Sequence, residues 1–159
     1  MHTENISEAK QVRRPSAHLN LEGSCLCGQI TYTYNGPVGK IIHCHCSLCR
    51  KWHGSAFRSR VTILKEHFDV TKGDLDISFY DSSETITKAF CLLCGSHLVS
   101  YYKNKESVLG LPIGGVKGNL SDLEQLHIFV GSKANWHEIT DAFPQYRKLP
   151  EDPSVIHQV

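Results

Sequence analysis

The stretch HCHCSLCRKWHGSAF, His43 to Phe57, places three cysteines and two histidines in its first seven residues. So dense a set of soft ligands serves either disulfide bonding or metal binding, and the rest of the chain discriminates. Four more cysteines lie in two groups, Cys25-x-Cys27 and Cys91-x-x-Cys94, so three groups account for all seven. The odd count weakens a disulfide framework, and the tight spacings are those of metal-binding turns. A C-x-x-C turn aims both sulfurs at one centre ~2.3 Å from each. A glycine after it, as in Cys94-Gly95, lets the backbone turn tightly and offer N–H groups to the thiolates.

Seven ligands do not divide into two fours. A structural zinc takes four protein ligands, whereas an exchangeable or catalytic zinc keeps three and leaves a position for water or substrate. Two partitions are open to the sequence. In one, Cys25, Cys27, Cys91 and Cys94 close one site while Cys44, Cys46 and Cys49 form an open one. In the other, Cys46, Cys49, Cys91 and Cys94 make a ribbon and three cysteines are left over. The first uses each group whole, and the spacing favours it. His45, between two proposed ligands, reads as a half-exposed imidazole pointing away from the ion, with a fourth-ligand or supporting role as the alternative.

Composition sets the frame. The chain has 159 residues, 40% hydrophobic and 21% charged, ordinary for one folded domain. Lys and Arg number 17 against 16 Asp and Glu, a formal +1. Seven thiolates subtract seven charges and two zinc ions restore four, taking the sum to −2. Broad nucleic-acid binding needs a basic excess that is missing here, and only a local patch around Arg13, Arg14, Arg58 and Arg60 remains. No apolar run approaches the ~20 residues of a membrane span and no signal-peptide core follows Arg13–Arg14, so a cytoplasmic protein is expected. In that reducing compartment clustered cysteines bind metal rather than form disulfides.

Residues 1–17 read as a flexible N-terminal tail, 18–150 as the zinc domain and 151–159 as a C-terminal tail. LNLEGSCLCGQITYTYNG reads as two strands joined through the first cysteine pair. GKIIHC brings another into the cluster. AFRSRVTIL, HFDVTKG, DISFY, TITKAF, HLVSYY, ESVLGLPIGG and LHIFVG supply further β-branched and aromatic segments, with a helical turn at KEHF and short helices expected in SDLEQ and DAFPQYRK. Many brief strands and few helices predict a mainly β, antiparallel protein.

GSCLCG, CHCSLCRKWHGSAF and FCLLCGSHL resemble, in order and spacing, the glutathione-dependent formaldehyde-activating enzyme family, which includes centromere protein V-like proteins. VGSKANWHEITDAFPQY resembles its C-terminal segment, so the likeness covers roughly Leu19 to Tyr146. It implies an Mss4-like, or β-tent, fold of small antiparallel sheets around two zinc ions. By this likeness Cys25, Cys27, Cys91 and Cys94 form the structural site, and Cys44, Cys46 and Cys49 the open, catalytic one. The implied activity is a zinc-dependent carbon–sulfur lyase joining a small thiol such as glutathione to an aldehyde. The alternative is a zinc-stabilised binding module of the centromere protein V type. Thiol redox catalysis needs a cysteine outside the metal shells, and none is left. Arg50, with Lys51, is the candidate for a glutathione carboxylate, and Gly54 and Ser55 for a close backbone approach and a hydroxyl. His53 or His137 is a candidate proton shuttle, and Trp52 and Trp136 are candidate pocket walls.

Overall fold

The structure, a computed structural model, describes residues 16–156 and 159, and most of the expected N-terminal tail lies outside them. Eleven strands and one helix follow in order: β1 (Ala17–Ser24), β2 (Thr31–Val38), β3 (Ile41–Cys44), α1 (Ser47–His53), β4 (Arg58–Leu64), β5 (Phe68–Lys72), β6 (Ile77–Asp81), β7 (Ile86–Cys91), β8 (His97–Tyr102), β9 (Val108–Pro112), β10 (Val116–Lys117) and β11 (Gln125–Ile128). The sheet runs β10-β1-β2-β4-β9-β8-β7-β6, with β5 on β2 and with β3 joining β4 to β11. All pairings are antiparallel except β3 with β11. This is the mainly β, antiparallel architecture that the segment pattern predicts, and it is consistent with the Mss4-like fold that the family resemblance implies.

Alternation explains the layers. Along β2, Tyr32, Tyr34 and Val38 point inward and meet Leu21 of β1, Val61 and Ile63 of β4, Val99 of β8, and Leu109 and Leu111 of β9 in the main core. Burying each such side chain is worth about 1.5–3 kcal/mol. Gly23 leaves room for the Tyr32 ring, whose atoms lie 2.2–2.4 Å from where a Cβ would stand. A second, smaller core on the other face holds Ile42, Cys44, Cys49, Leu126, Ile128 and Ile156. Ile156, in the expected C-terminal tail, is therefore packed.

Two expected helices are absent, and one unexpected helix is present. Residues 141–148 run extended along β11: His127 N–H donates to the Pro144 carbonyl at 2.8 Å, and Tyr146 N–H to the His127 carbonyl at 2.9 Å. The strand's open edge outbids a helix that Pro144 would break anyway. Residues 121–125 form a turn into β11 for the same reason, since Gln125 pairs with Ile41. The segment after Cys46, in contrast, forms α1 where a turn is expected. At seven residues it is too short to stand alone. The Cys46 sulfur caps it by accepting from Cys49 N–H at 3.4 Å, and Gly54 ends it in the left-handed region at φ 59°.

Candidate metal centres

Two tight turns meet to form the first cluster. Gly28, at φ 75°, closes the turn that carries Cys25 and Cys27, and Gly95, at φ 74°, closes the one that carries Cys91 and Cys94. Both are positive-φ positions where a side chain would be strained. Their four sulfurs lie within 4.8 Å of one another. Cys25 and Cys27 are 3.5 Å apart, and Cys27 and Cys91 are 3.9 Å apart. A tetrahedron of ~2.3 Å zinc–sulfur bonds has edges of about 3.8 Å, close to these two separations, so the donor set fits zinc. The turns also supply hydrogen bonds to sulfur: Ile30 N–H to Cys25 at 3.3 Å, and Ser96 Oγ to Cys94 at 3.2 Å. The Ser96 contact, with backbone N–H groups, draws the Cys94 thiol down to about 5.

Cys44, Cys46 and Cys49 form the second cluster, also within 4.8 Å. The two clusters are separate, as in the partition that keeps each sequence group whole. Cys44 ends β3, Cys46 caps α1 and Cys49 follows one turn into it, so strand end and helix start aim three sulfurs at one point. Hydrogen bonds from Cys44 and Cys49 hold the Cys46 thiol far below the ordinary value, while contacts with Cys46 and Cys49, and then burial, push Cys44 far above it. Three soft donors, with no fourth grouped beside them among the described residues, match the donor count of zinc in its exchangeable form.

His45 does not join the trio. It is fully buried rather than half exposed, because β3 alternation turns it to the face opposite Cys44. Its neighbours fix its tautomer. The Asp141 carboxylate only accepts, so His127 Nε2–H donates to it at 3.1 and 3.2 Å. His127 Nδ1 then accepts from His45 Nε2–H at 2.8 Å. His45 Nδ1 is left as a buried lone pair without a partner. Burial and the neighbouring His127 hold the His45 pKa down at about 4.

The other candidates are distributed around α1. Arg50 donates to the Ser132 carbonyl at 3.2 Å, and Ser55 Oγ to the Phe57 carbonyl at 2.7 Å. Trp52 stacks on Tyr80 at 5.7 Å, whereas Trp136 is exposed. The Val99 carbonyl accepts from His97 Nε2–H at 3.1 Å, so His97 Nδ1 accepts from His53 Nε2–H at 3.2 Å. His53 Nδ1 is thereby a free lone pair. Burial first, then Arg58 and Lys88, hold His53 at about 4.

Arg58 and Arg60 are 5% and 6% exposed, so they form no surface patch for nucleic acid. Arg13 and Arg14 lie outside the described residues. Lys88, His97, His127 and Asp141 are polar residues that the sequence reading did not place at a site, and it read Arg58 only as part of that patch. Burial draws the Lys88 ammonium below its ordinary pKa, opposed by the charge of Cys49, Cys46 and Cys44.

Known proteins match this picture. A crystal structure of a Rhodobacter sphaeroides protein superposes with a TM-score of 0.53 over 65% of this chain and 98% of its own, at 18% identity, and so shares the fold. The model of the family described as glutathione-dependent formaldehyde-activating enzyme matches residues 20–132, a span that holds all seven cysteines. With both clusters assembled as that pattern requires, the chain belongs to the glutathione-dependent formaldehyde-activating enzyme family.

Proposed function

We propose that the chain is a zinc-dependent carbon–sulfur lyase that adds the glutathione thiol to formaldehyde at the Cys44–Cys46–Cys49 trio, giving S-hydroxymethylglutathione. One C–S bond forms, the carbonyl π bond opens, and the thiol proton ends on the former carbonyl oxygen. The observation that carries this reading is the trio: three clustered sulfurs with no fourth ligand among the described residues, in a chain that also holds a complete quartet. Zinc at the trio would supply a Lewis-acidic position that eases deprotonation of a thiol.

The chain's own groups divide the remaining work. Cys44, Cys46 and Cys49 would hold the ion; Cys25, Cys27, Cys91 and Cys94 would hold a second ion that ties the fold. The free Nδ1 of His53 is the acceptor for the thiol proton, aligned through His97 by the Val99 carbonyl. Arg50, Gly54 and Ser55 form the rim along which the peptide part of glutathione lies, with the Arg50 guanidinium offered to a carboxylate. A reducing cytoplasm, which keeps such thiols free, suits this chemistry. No helix among the described residues is long and apolar enough to cross a membrane.

Zinc per chain, measured with and without glutathione, and magnetisation-exchange NMR of the glutathione–formaldehyde equilibrium test the proposal. Two ions and accelerated exchange that Cys46→Ser abolishes are expected. Unchanged exchange with two ions bound would refute catalysis and favour a zinc-stabilised binding module.

A further inference from the structure

One face of the sheet between β3 and β7 is buried and yet polar. Cross-strand partners set Cys44 beside Arg58, Thr62 beside Gly110, Gly110 beside Ser100, and Ser100 beside Lys88. Directly opposite side chains share a face, so Arg58 and Lys88 lie on the side from which Cys44 projects. Helix α1 covers that side. Its Trp52 ring centre lies 4.7 Å from Lys88 Nζ, and Cys49, three residues before Trp52, projects from the same side of the helix. The trio and the two cations thus share one slot between helix and sheet.

Arg58 is 5% exposed and Lys88 3%. Neither has a carboxylate partner among the described residues. Arg58 Nη2 donates to the Gly110 carbonyl at 3.1 Å, its Nε has no acceptor, and Lys88 meets only the Trp52 ring. Buried charges persist when something of opposite sign balances them. Arg60, 6% exposed, lies on the same face as Arg58, so three thiolates around a divalent ion, one net negative charge, stand against three positive charges on Arg58, Arg60 and Lys88. Positive charge remains unmatched in the slot.

We infer that Arg58 and Lys88 make the trio site a receptor for anions, so that a visiting thiol is held there as its thiolate. This rests on the reading of the trio as an open site. An anion lowers the unmatched positive charge of the slot, whereas a neutral ligand leaves it unchanged. Lys88 is a positioning residue here: it selects the charge of what enters.

The test uses the full chain loaded with cobalt, with visible absorption reporting ligation at the trio. Thiocyanate serves as the anionic probe and imidazole as the neutral one. Lys88→Met should weaken thiocyanate on the order of tenfold or more, since a unit charge is lost in a partly desolvated site. Imidazole should hold within about threefold, and Lys88→Arg should restore thiocyanate. Equal loss of both probes, as a general loosening would give, or loss of neither, overturns the inference. Should Lys88→Met fail to fold, the wild-type protein decides by calorimetry in buffers of differing ionisation enthalpy: His53, held at about 4, passes the thiol proton on to buffer at pH 7, so glutathione binding should release close to one proton, and binding without release overturns it. If no probe, glutathione included, perturbs the cobalt spectrum, the open-site reading itself fails and takes the inference with it.

Discussion

Cys94→Ser should cost the protein most of its stability, and the fold shows how much. Cys27 and Cys91 are 64 positions apart in sequence, yet their sulfurs stand 3.9 Å from each other. Cross-linking a loop of that length removes about 4 kcal/mol of unfolded-state entropy. Other side-chain links are weak: Leu26 N–H donates to Ser96 Oγ at 2.9 Å, and Gln29 Nε2 donates at 2.7 Å to Asp76, whose carbonyl in turn accepts from Leu92 N–H at 2.8 Å. Each is worth about 1 kcal/mol net. Against a net stability of ~5–15 kcal/mol, the ion outweighs them together. At ~2–4 °C per kcal/mol the variant should melt at least about 10 °C lower. Scanning calorimetry with a zinc count measures this, and Ser96→Ala, which removes two hydrogen bonds, should lose only about 2 kcal/mol. Cys46→Ser gives the contrast: the trio lies within residues 44–49, so its ion closes almost no loop and its loss should shift melting far less. A Cys94→Ser protein that melts cooperatively within about 3 °C of wild type without quartet zinc would refute the cross-link argument.

Three other outcomes follow from particular contacts. Gly73→Ala should destabilise by about 1–3 kcal/mol in urea unfolding, because φ there is +77° and the new Cβ would stand 2.3 Å from the Gln29 carbonyl oxygen; an unchanged midpoint would contradict this. Asp141→Ala strands the His127 Nε2–H donor, His127 being 1% exposed, and should cost about 1–3 kcal/mol, most of it recovered by Asp141→Asn. Imidazole 15N shifts should show His45 protonated at Nε2 in wild type, and the opposite tautomer would break the Asp141–His127–His45 chain. Burial holds His53 at about 4 and His97 at about 2, both below the unfolded value of ~6.5. Both rings are thus neutral in the folded state, unfolding takes up protons below pH ~6.5, and stability falls as pH drops from there. His97→Asn should flatten that slope by one proton per molecule, and parallel slopes in the two proteins would exclude His97 as a source.

The metal framework was legible in the sequence because chelation is local. Cys25 to Gly28 and Cys91 to Gly95 each encode a turn whose glycine permits positive φ, and the strand pairs around them announce themselves by alternation. What could not be read locally depended on distant partners. Residues 141–148 have the composition of a short helix, but the edge of β11 captures them. His45 has no local feature that buries it; His127 and Asp141, 82 and 96 positions on, do so. Helix α1 is short and weak by propensity, and it forms where Cys46 caps it and Gly54 ends it.

The slot beside the trio shows the limit of periodicity most sharply. Arg58, Arg60 and Thr62 alternate with Ser59, Val61 and Ile63, the pattern of a strand with one face in the core and one in water. On that rule the arginines belong outside, where they would make a basic surface. Alternation assigns residues to shared faces; it does not say which face meets solvent. Here Val61 and Ile63 reach the main core, and the opposite face is roofed by α1 and by Ile156, whose carbonyl accepts from Thr62 Oγ1 at 3.3 Å. A second layer therefore closes over charged side chains, which is tolerable only because three ionisable sulfurs lie among them. The sign of charge on the hidden face and the number of cysteines beside it are thus one fact: the cations are buried because the trio is there to receive them.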